Sequence, residues 1–151
     1  MPASSEVNLS EIVLTPGRAT LADLEQIWRQ GLAVRLDESA RGPIAAAAAR
    51  IAAAARGDKA VYGVNTGFGK LATTRIAAAE IEELQRRLVL SHMCGVGAPL
   101  PDPVVRLVLA QKAASLALGH SGVRRRTIEL LLTLLAHDAL PVIPAKGSVG
   151  A

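Results

Sequence analysis

Only three of the 151 residues are aromatic: Trp28, Tyr62 and Phe68. A core must therefore be built from aliphatic side chains, and the 50% hydrophobic content supplies enough of them for one folded unit. Cysteine is scarcer still. With Cys94 alone, an intramolecular disulfide and a cysteine-rich zinc site are both excluded; packing has to hold the fold, as suits a reducing compartment. Long hydrophobic runs are missing as well. The most apolar stretch, Ile44 to Ala55, is broken by Arg50 and falls short of the roughly 20 apolar residues of a membrane span. The opening MPASSEVNLSE lacks the basic and then apolar regions of a secretory signal. Charge of one sign is not in large excess either, since 17 Lys+Arg against 13 Asp+Glu leave +4, which does not call for nucleic acid. These absences point to a cytoplasmic protein with neither membrane nor nucleic acid as partner, and with no metal.

What is present is helical periodicity. Residues 7 to 14, VNLSEIVL, alternate loosely up to Thr15-Pro16-Gly17 and predict a short strand and a turn. Thr20 with Asp23 forms a capping-box pattern, and Leu21, Leu24, Ile27 and Trp28 follow at helical spacing as far as Gly31. An alanine-rich helix is expected from about Ser39 to Arg56, with Pro43 in its first turn and Gly57 as its stop. Ile81, Leu84, Leu88 and His92 share one face of another helix, so His92 is expected to point inward. Asp102-Pro103 reads as N-cap and first helical residue of a segment ending at Gly119. TIELLLTLLAHD is the last helical pattern, ended by PVIP. The chain is mainly α and shows no internal domain boundary.

Two glycine-rich interruptions, at 60 to 70 and at 141 to 151, stand out. In GVNTGFGKLATT a phosphate loop would need glycine where Val64 stands and a hydroxyl where Leu71 stands, so the pattern fails twice. GHSGV lacks the final glycine of a nucleophile elbow at Val123 and follows a helix rather than a strand, so it reads as a helix end. Arg124-Arg125-Arg126 opens a helix, where positive charge is mildly unfavourable; a solvated face or pairing between subunits is the plainer reading than phosphate binding. His92 fits either a hydrogen-bonded structural histidine or a functional one, and the Gly95-Val96-Gly97 that follows favours backbone approach to a ligand. Tyr62 fits either an anchor for its loop or a base, which would require positive potential to lower a phenol pKa from about 10.

Three segments taken together, YGVNTGFG at 62 to 69, LVLSHMCGVGAPL at 88 to 100 and PVIPAKGSVGA at 141 to 151, resemble the N-terminal third of an aromatic amino acid ammonia-lyase, most closely the histidine ammonia-lyases. The resemblance covers the chain from about residue 9 to its end. It implies the N-terminal part of a fumarase/aspartase-like helical bundle, with short strands near the N-terminus and the Tyr62 loop. Residues 1 to 151 are then one segment of a single larger catalytic chain, with active-site loops at 60 to 70 and 141 to 151.

In that family GSVGA continues as Ser-Gly-Asp, and an Ala-Ser-Gly triad cyclises into 4-methylidene-imidazol-5-one, MIO. Ala151 would be its first member, and the sequence is expected to stop there because the next residue is not an ordinary one. Small residues suit a turn in which a backbone nitrogen attacks a nearby carbonyl. The resemblance further implies that Tyr62 is the base that takes the β-proton of L-histidine on the way to trans-urocanate and ammonia. Gly63, Asn65, Thr66, Gly67, Phe68 and Gly69 would form the loop closing over the site. His92, in the Ser91-His92 pair, would face the substrate imidazole; Met93-Cys94 departs from the small residues usual there and bears on packing behind it. No diffusible cofactor is implied. A homotetramer with active sites shared between subunits is implied, so the apolar faces of later helices would be buried partly against partners. Other MIO enzymes (tyrosine or phenylalanine ammonia-lyases, aminomutases) and a non-catalytic helical assembly module are the alternatives.

Overall fold

The computed structural model describes residues 11 to 29 and 32 to 147. Strand β1 (Glu11–Leu14), helix α1 (Leu21–Arg29) and strand β2 (Ala33–Leu36) form one βαβ unit, in which β1 and β2 pair in parallel with Ile12 opposite Val34 and Leu14 opposite Leu36. The first half of the expected strand and the Gly31 stop lie outside the described residues. The capping box at the start of α1 is formed: the Asp23 amide donates to Thr20 Oγ1 at 3.2 Å, and the Thr20 amide donates to Asp23 Oδ2 at 2.8 Å. Of the four apolar residues of α1, Ile27 is buried, whereas Leu21 and Trp28 are exposed. A two-turn helix rests only a narrow stripe on the core. Strand β2 leaves no signal in the sequence because its four residues, AVRL, are too few to set up a period.

A 3-10 turn at Glu38–Ala40, capped by Asp37, leads into α2 (Arg41–Arg56), which Gly57 ends as expected. Helix α3 (Ile81–His92) is followed by β3 (Val96–Pro99), α4 (Asp102–Leu116), α5 (Arg125–Ala136) and β4 (Pro144–Lys146). Helix α4 starts one residue earlier than the spacing indicates, with Pro101 as N-cap and Asp102 already helical. It ends at Leu116, and the Gly119 that follows has φ +75° with its Cα close against Pro43 of α2. The GHSGV segment is thus a helix end packed on a neighbouring helix. The arginine run is solvated, and Arg125 pairs with Glu129 one turn on.

Helix α4 is the centre of the fold. Val105, Leu109, Ala110 and Ala113 recur on its buried side, and α1, α5 and the β1–β2 pair lie around them. A second cluster joins Ala40 and Ile44 to Ala113, Ala117 and Ile128, linked to the first through Leu36, Leu131 and Leu132. Arg106 of α4 reaches Asp138 beyond α5 with two bonds, Nε to Oδ1 at 2.9 Å and Nη2 to Oδ2 at 3.1 Å. This fork holds the two central helices in register.

Two sequence expectations need correcting. The Tyr62 loop contains no strand; Thr66 and Arg75 form a single antiparallel bridge, because the loop turns too often for a ladder. The short strands are instead β1 with β2 and β3 with β4. His92 does not point inward. Ile81, Leu84 and Leu88 are the less exposed side of α3, as the periodicity indicates, but no residue of α3 is buried and His92 is exposed. The helix contacts chiefly the 3-10 turn at Ala78–Glu80 before it, so its apolar side has little among the described residues to pack against.

Candidate active site

In the last turn of α3 the Ser91 hydroxyl donates to the Leu88 carbonyl at 3.0 Å, and His92 Nδ1 lies 2.8 Å from the same carbonyl and 3.0 Å from Ser91 Oγ. A carbonyl oxygen only accepts, so Nδ1 carries the proton and donates. In the neutral ring this leaves Nε2 as a bare acceptor on the exposed side.

From His92 the chain runs through Met93 and Cys94 into β3, which pairs antiparallel with β4, Val96 opposite Lys146 and Pro99 opposite Pro144. The pair is knitted at close range by glycines. A Cβ on Gly95 would fall 2.8 Å from Pro144 Cγ, and one on Gly147, where φ is +104°, would fall 2.6 Å from the Cys94 carbonyl oxygen. Only glycine satisfies both the backbone angle and the space at 147. The Cys94 thiol adds a weak bond to the Gly147 carbonyl at 3.6 Å. Residues 144 to 147 are therefore held directly against the segment that follows His92. Ala151 itself lies outside the described residues.

The 60 to 70 loop is organised around Asn65. Its side chain is buried and saturated: Oδ1 accepts from the Val61 amide at 2.7 Å, while Nδ2 donates to the carbonyls of Lys59 at 3.0 Å and Ala54 at 3.1 Å. Those acceptors lie at and beyond the end of α2, so Asn65 fastens the loop to that helix rather than facing a ligand. Thr66 and Gly67 are buried with it, and the amide of Ile76 donates to the Asn65 carbonyl at 2.9 Å, closing the loop's base. Tyr62 and Phe68 meet edge to face, with ring centroids 5.6 Å apart. Gly63 and Gly69 are exposed beside them, and the Tyr62 ring is itself 63% exposed.

Among the described residues, no strand pairing or side-chain hydrogen bond joins the Tyr62 loop to α3 or β3. The structure brings the His92 loop together with the 144 to 147 segment and leaves Tyr62 on a separately anchored loop. A cavity of about 250 Å³ elsewhere, between Ile44, Arg125 and Ile128, contains none of these residues. No group of three or more His, Cys, Asp or Glu able to hold a metal occurs among the described residues. Nor is any helix there long and apolar enough to cross a membrane. Sequence reasoning missed the roles of Ser91, Gly147 and Arg106; the glycine after Lys146 was the one available signal.

Comparison with known proteins gives the decisive observation: the family model described as aromatic amino acid lyase matches residues 19 to 151. The chain belongs to the aromatic amino acid lyase family. A histidine ammonia-lyase of Paracidovorax citrulli (strain AAC00-1) is 57% identical over 140 residues, covering 93% of this chain and 27% of that protein. The solved histidine ammonia-lyase of Trypanosoma cruzi shares 33% identity at a TM-score of 0.81, over 93% of this chain and 27% of the other. Tyrosine aminomutase from Streptomyces globisporus shares 26% identity at a TM-score of 0.85, over 92% and 26% of the two chains. This aromatic amino acid lyase chain thus spans about a quarter of the length of the relatives it matches. Its mainly helical fold is that of these relatives, and the segments that resemble the family, Tyr62 to Gly69, Leu88 to Leu100 and Pro141 to Ala151, all fall within the matched residues.

Proposed function

We propose that this chain is the N-terminal part of a larger cytoplasmic histidine ammonia-lyase, which eliminates ammonia from L-histidine to give trans-urocanate. The observation that carries the reading is the β3–β4 pairing, which keeps the imidazole of His92 one short loop from the segment running into Ala151. The segment that follows His92 and the segment that leads toward the expected electrophile are then tied together by one strand pair.

The residues present fit MIO. The sequence on the way to Ala151 includes Gly147, Ser148 and Gly150, and at Gly147 the backbone lies so close to Cys94 that a side chain would collide. The triad would begin at Ala151 and continue in the chain that follows. When formed, MIO supplies an electrophile that no unmodified side chain offers, and no diffusible cofactor is needed.

The chain's own groups do the rest. His92 Nε2 accepts a hydrogen bond from the substrate imidazole and so orients the amino acid. Tyr62 is the base that takes the β-proton. Phe68 packs on the Tyr62 ring and Asn65 anchors the loop, so the phenol moves on a short tether while Gly63 and Gly69 allow the tip to close. The unburied α3, with Val89 and Leu90 exposed along it and Met93 exposed just past its end, supports a homotetramer in which other subunits cover this region and complete the site.

Incubation of the full-length protein with L-histidine tests the reading: urocanate absorbance should appear, and the intact mass should fall two waters below the encoded mass. Absence of urocanate would sink the substrate assignment, and an unaltered mass would sink MIO. The fold likeness to a tyrosine aminomutase makes isomerisation the second reading, marked by a β-amino acid product in place of urocanate.

A further inference from the structure

We propose that Ser91 is a positioning residue that, with the Leu88 carbonyl, fixes both the tautomer and the ring orientation of His92. The proposal rests on the reading above in one respect, that the substrate imidazole meets His92. The geometry stands by itself. The Leu88 oxygen, 2.8 Å from Nδ1, can only accept, so the proton sits on Nδ1. Ser91 donates its hydroxyl proton to that same oxygen at 3.0 Å, which turns an oxygen lone pair toward Nδ1–H, also at 3.0 Å. The imidazole therefore has two acceptors converging on one nitrogen, and rotation about the ring's bond to its stem would forfeit both. Nε2 has no hydrogen-bond partner of its own among the described residues, and His92 is exposed.

The chemical consequence is directional. A bare Nε2 accepts and cannot donate, so the ring it reads must present an N–H. Neutral histidine has one such group, whereas a phenyl ring has none and a phenol presents an O–H at a different reach. Ser91 thereby contributes to specificity without touching the substrate. Were the proton on Nε2 instead, His92 would select for an acceptor and the same pocket would favour a different partner ring.

Two readouts on the full-length enzyme test this. Solid-state 15N spectra of histidine-labelled enzyme without substrate, assigned by loss of the signal in His92→Gln, should show Nδ1 protonated and Nε2 bare. A protonated Nε2 overturns the proposal whatever the activity. Ser91→Ala should add a second imidazole population and raise KM for histidine about five-fold, the effect of one neutral hydrogen bond, with kcat changed less. Ser91→Thr, which keeps the hydroxyl, should restore both. An unchanged spectrum and KM in Ser91→Ala would remove Ser91 from this role. Failure of the function reading looks different: the wild type then makes no urocanate, while the spectrum still judges the tautomer.

Discussion

Gly147 stands so close to Cys94 that a methyl group added to its Cα would fall 2.6 Å from the Cys94 carbonyl oxygen. The strand leading toward the expected electrophile is thus seated closely on the segment leading from His92. Gly147→Ala must both adopt φ +104° and push the two strands apart. The strained backbone alone costs roughly 1–3 kcal/mol. We expect the variant to lose most of its urocanate production and to show an incomplete two-water mass deficit; a wild-type mass and kcat would show that the seat is not needed.

Asn65 should behave as a structural linchpin. Asn65→Ala strands the Val61 amide and the carbonyls of Ala54 and Lys59 in a buried place. The loss is expected to be about 2–4 kcal/mol, from several unsatisfied groups at once. Thermal unfolding and limited proteolysis at residues 60 to 76 measure it, and cleavage there no faster than in the wild type would contradict the anchoring role.

The Arg106–Asp138 fork offers a separate test. Asp138 holds a left-handed φ of +49°, which a residue other than glycine adopts at some cost, and the two bonds to Arg106 offset it. Arg106 is largely sheltered, so the pair should exceed an ordinary surface bridge and couple by about 1 kcal/mol in a double-mutant cycle of Arg106→Ala and Asp138→Asn. Additive effects of the two changes would mean the fork contributes no coupling.

Acid should loosen α1 first at its start. The Thr20 amide and then its hydroxyl donate to Asp23 and lower its carboxyl pKa from the usual 3.8. A pKa lowered on folding gives stability that is present above 3.8 and lost as pH falls through the folded value. Asp23→Ala should therefore melt below the wild type at pH 7, with the gap closing as pH falls below 3.8 and through the lowered folded value. A gap independent of pH would assign the effect to packing. Asp37, lowered by the Ser39 hydroxyl and amide, follows the same sign.

How far the sequence could be read depended on how local each feature was. The capping box at Thr20 and Asp23, the Gly57 stop and the helices around Ala110 and Ile128 are decided within a few residues, so periodicity and cap chemistry revealed them. Asn65 was noticed for the loop it sits in, but its partners at Ala54 and Lys59 are a matter of how the chain doubles back. Periodicity also marks the apolar side of α3 without indicating whether anything covers it, so it predicts an inward His92 where the structure has an exposed one.

The sequence by itself determined a helical chain, its family, and the three motifs that hold Tyr62, His92 and Ala151. Those follow from residue type and short spacing, which side-chain chemistry and helical repeat translate directly. Tertiary structure alone decided that β3 pairs with β4 across some fifty residues and that Gly147 touches Cys94. It alone decided that the Leu88 carbonyl and Ser91 claim one nitrogen of His92. Such contacts depend on where the backbone travels between the motifs and on which rotamer the local carbonyls favour, and neither is written in the spacing of any one segment.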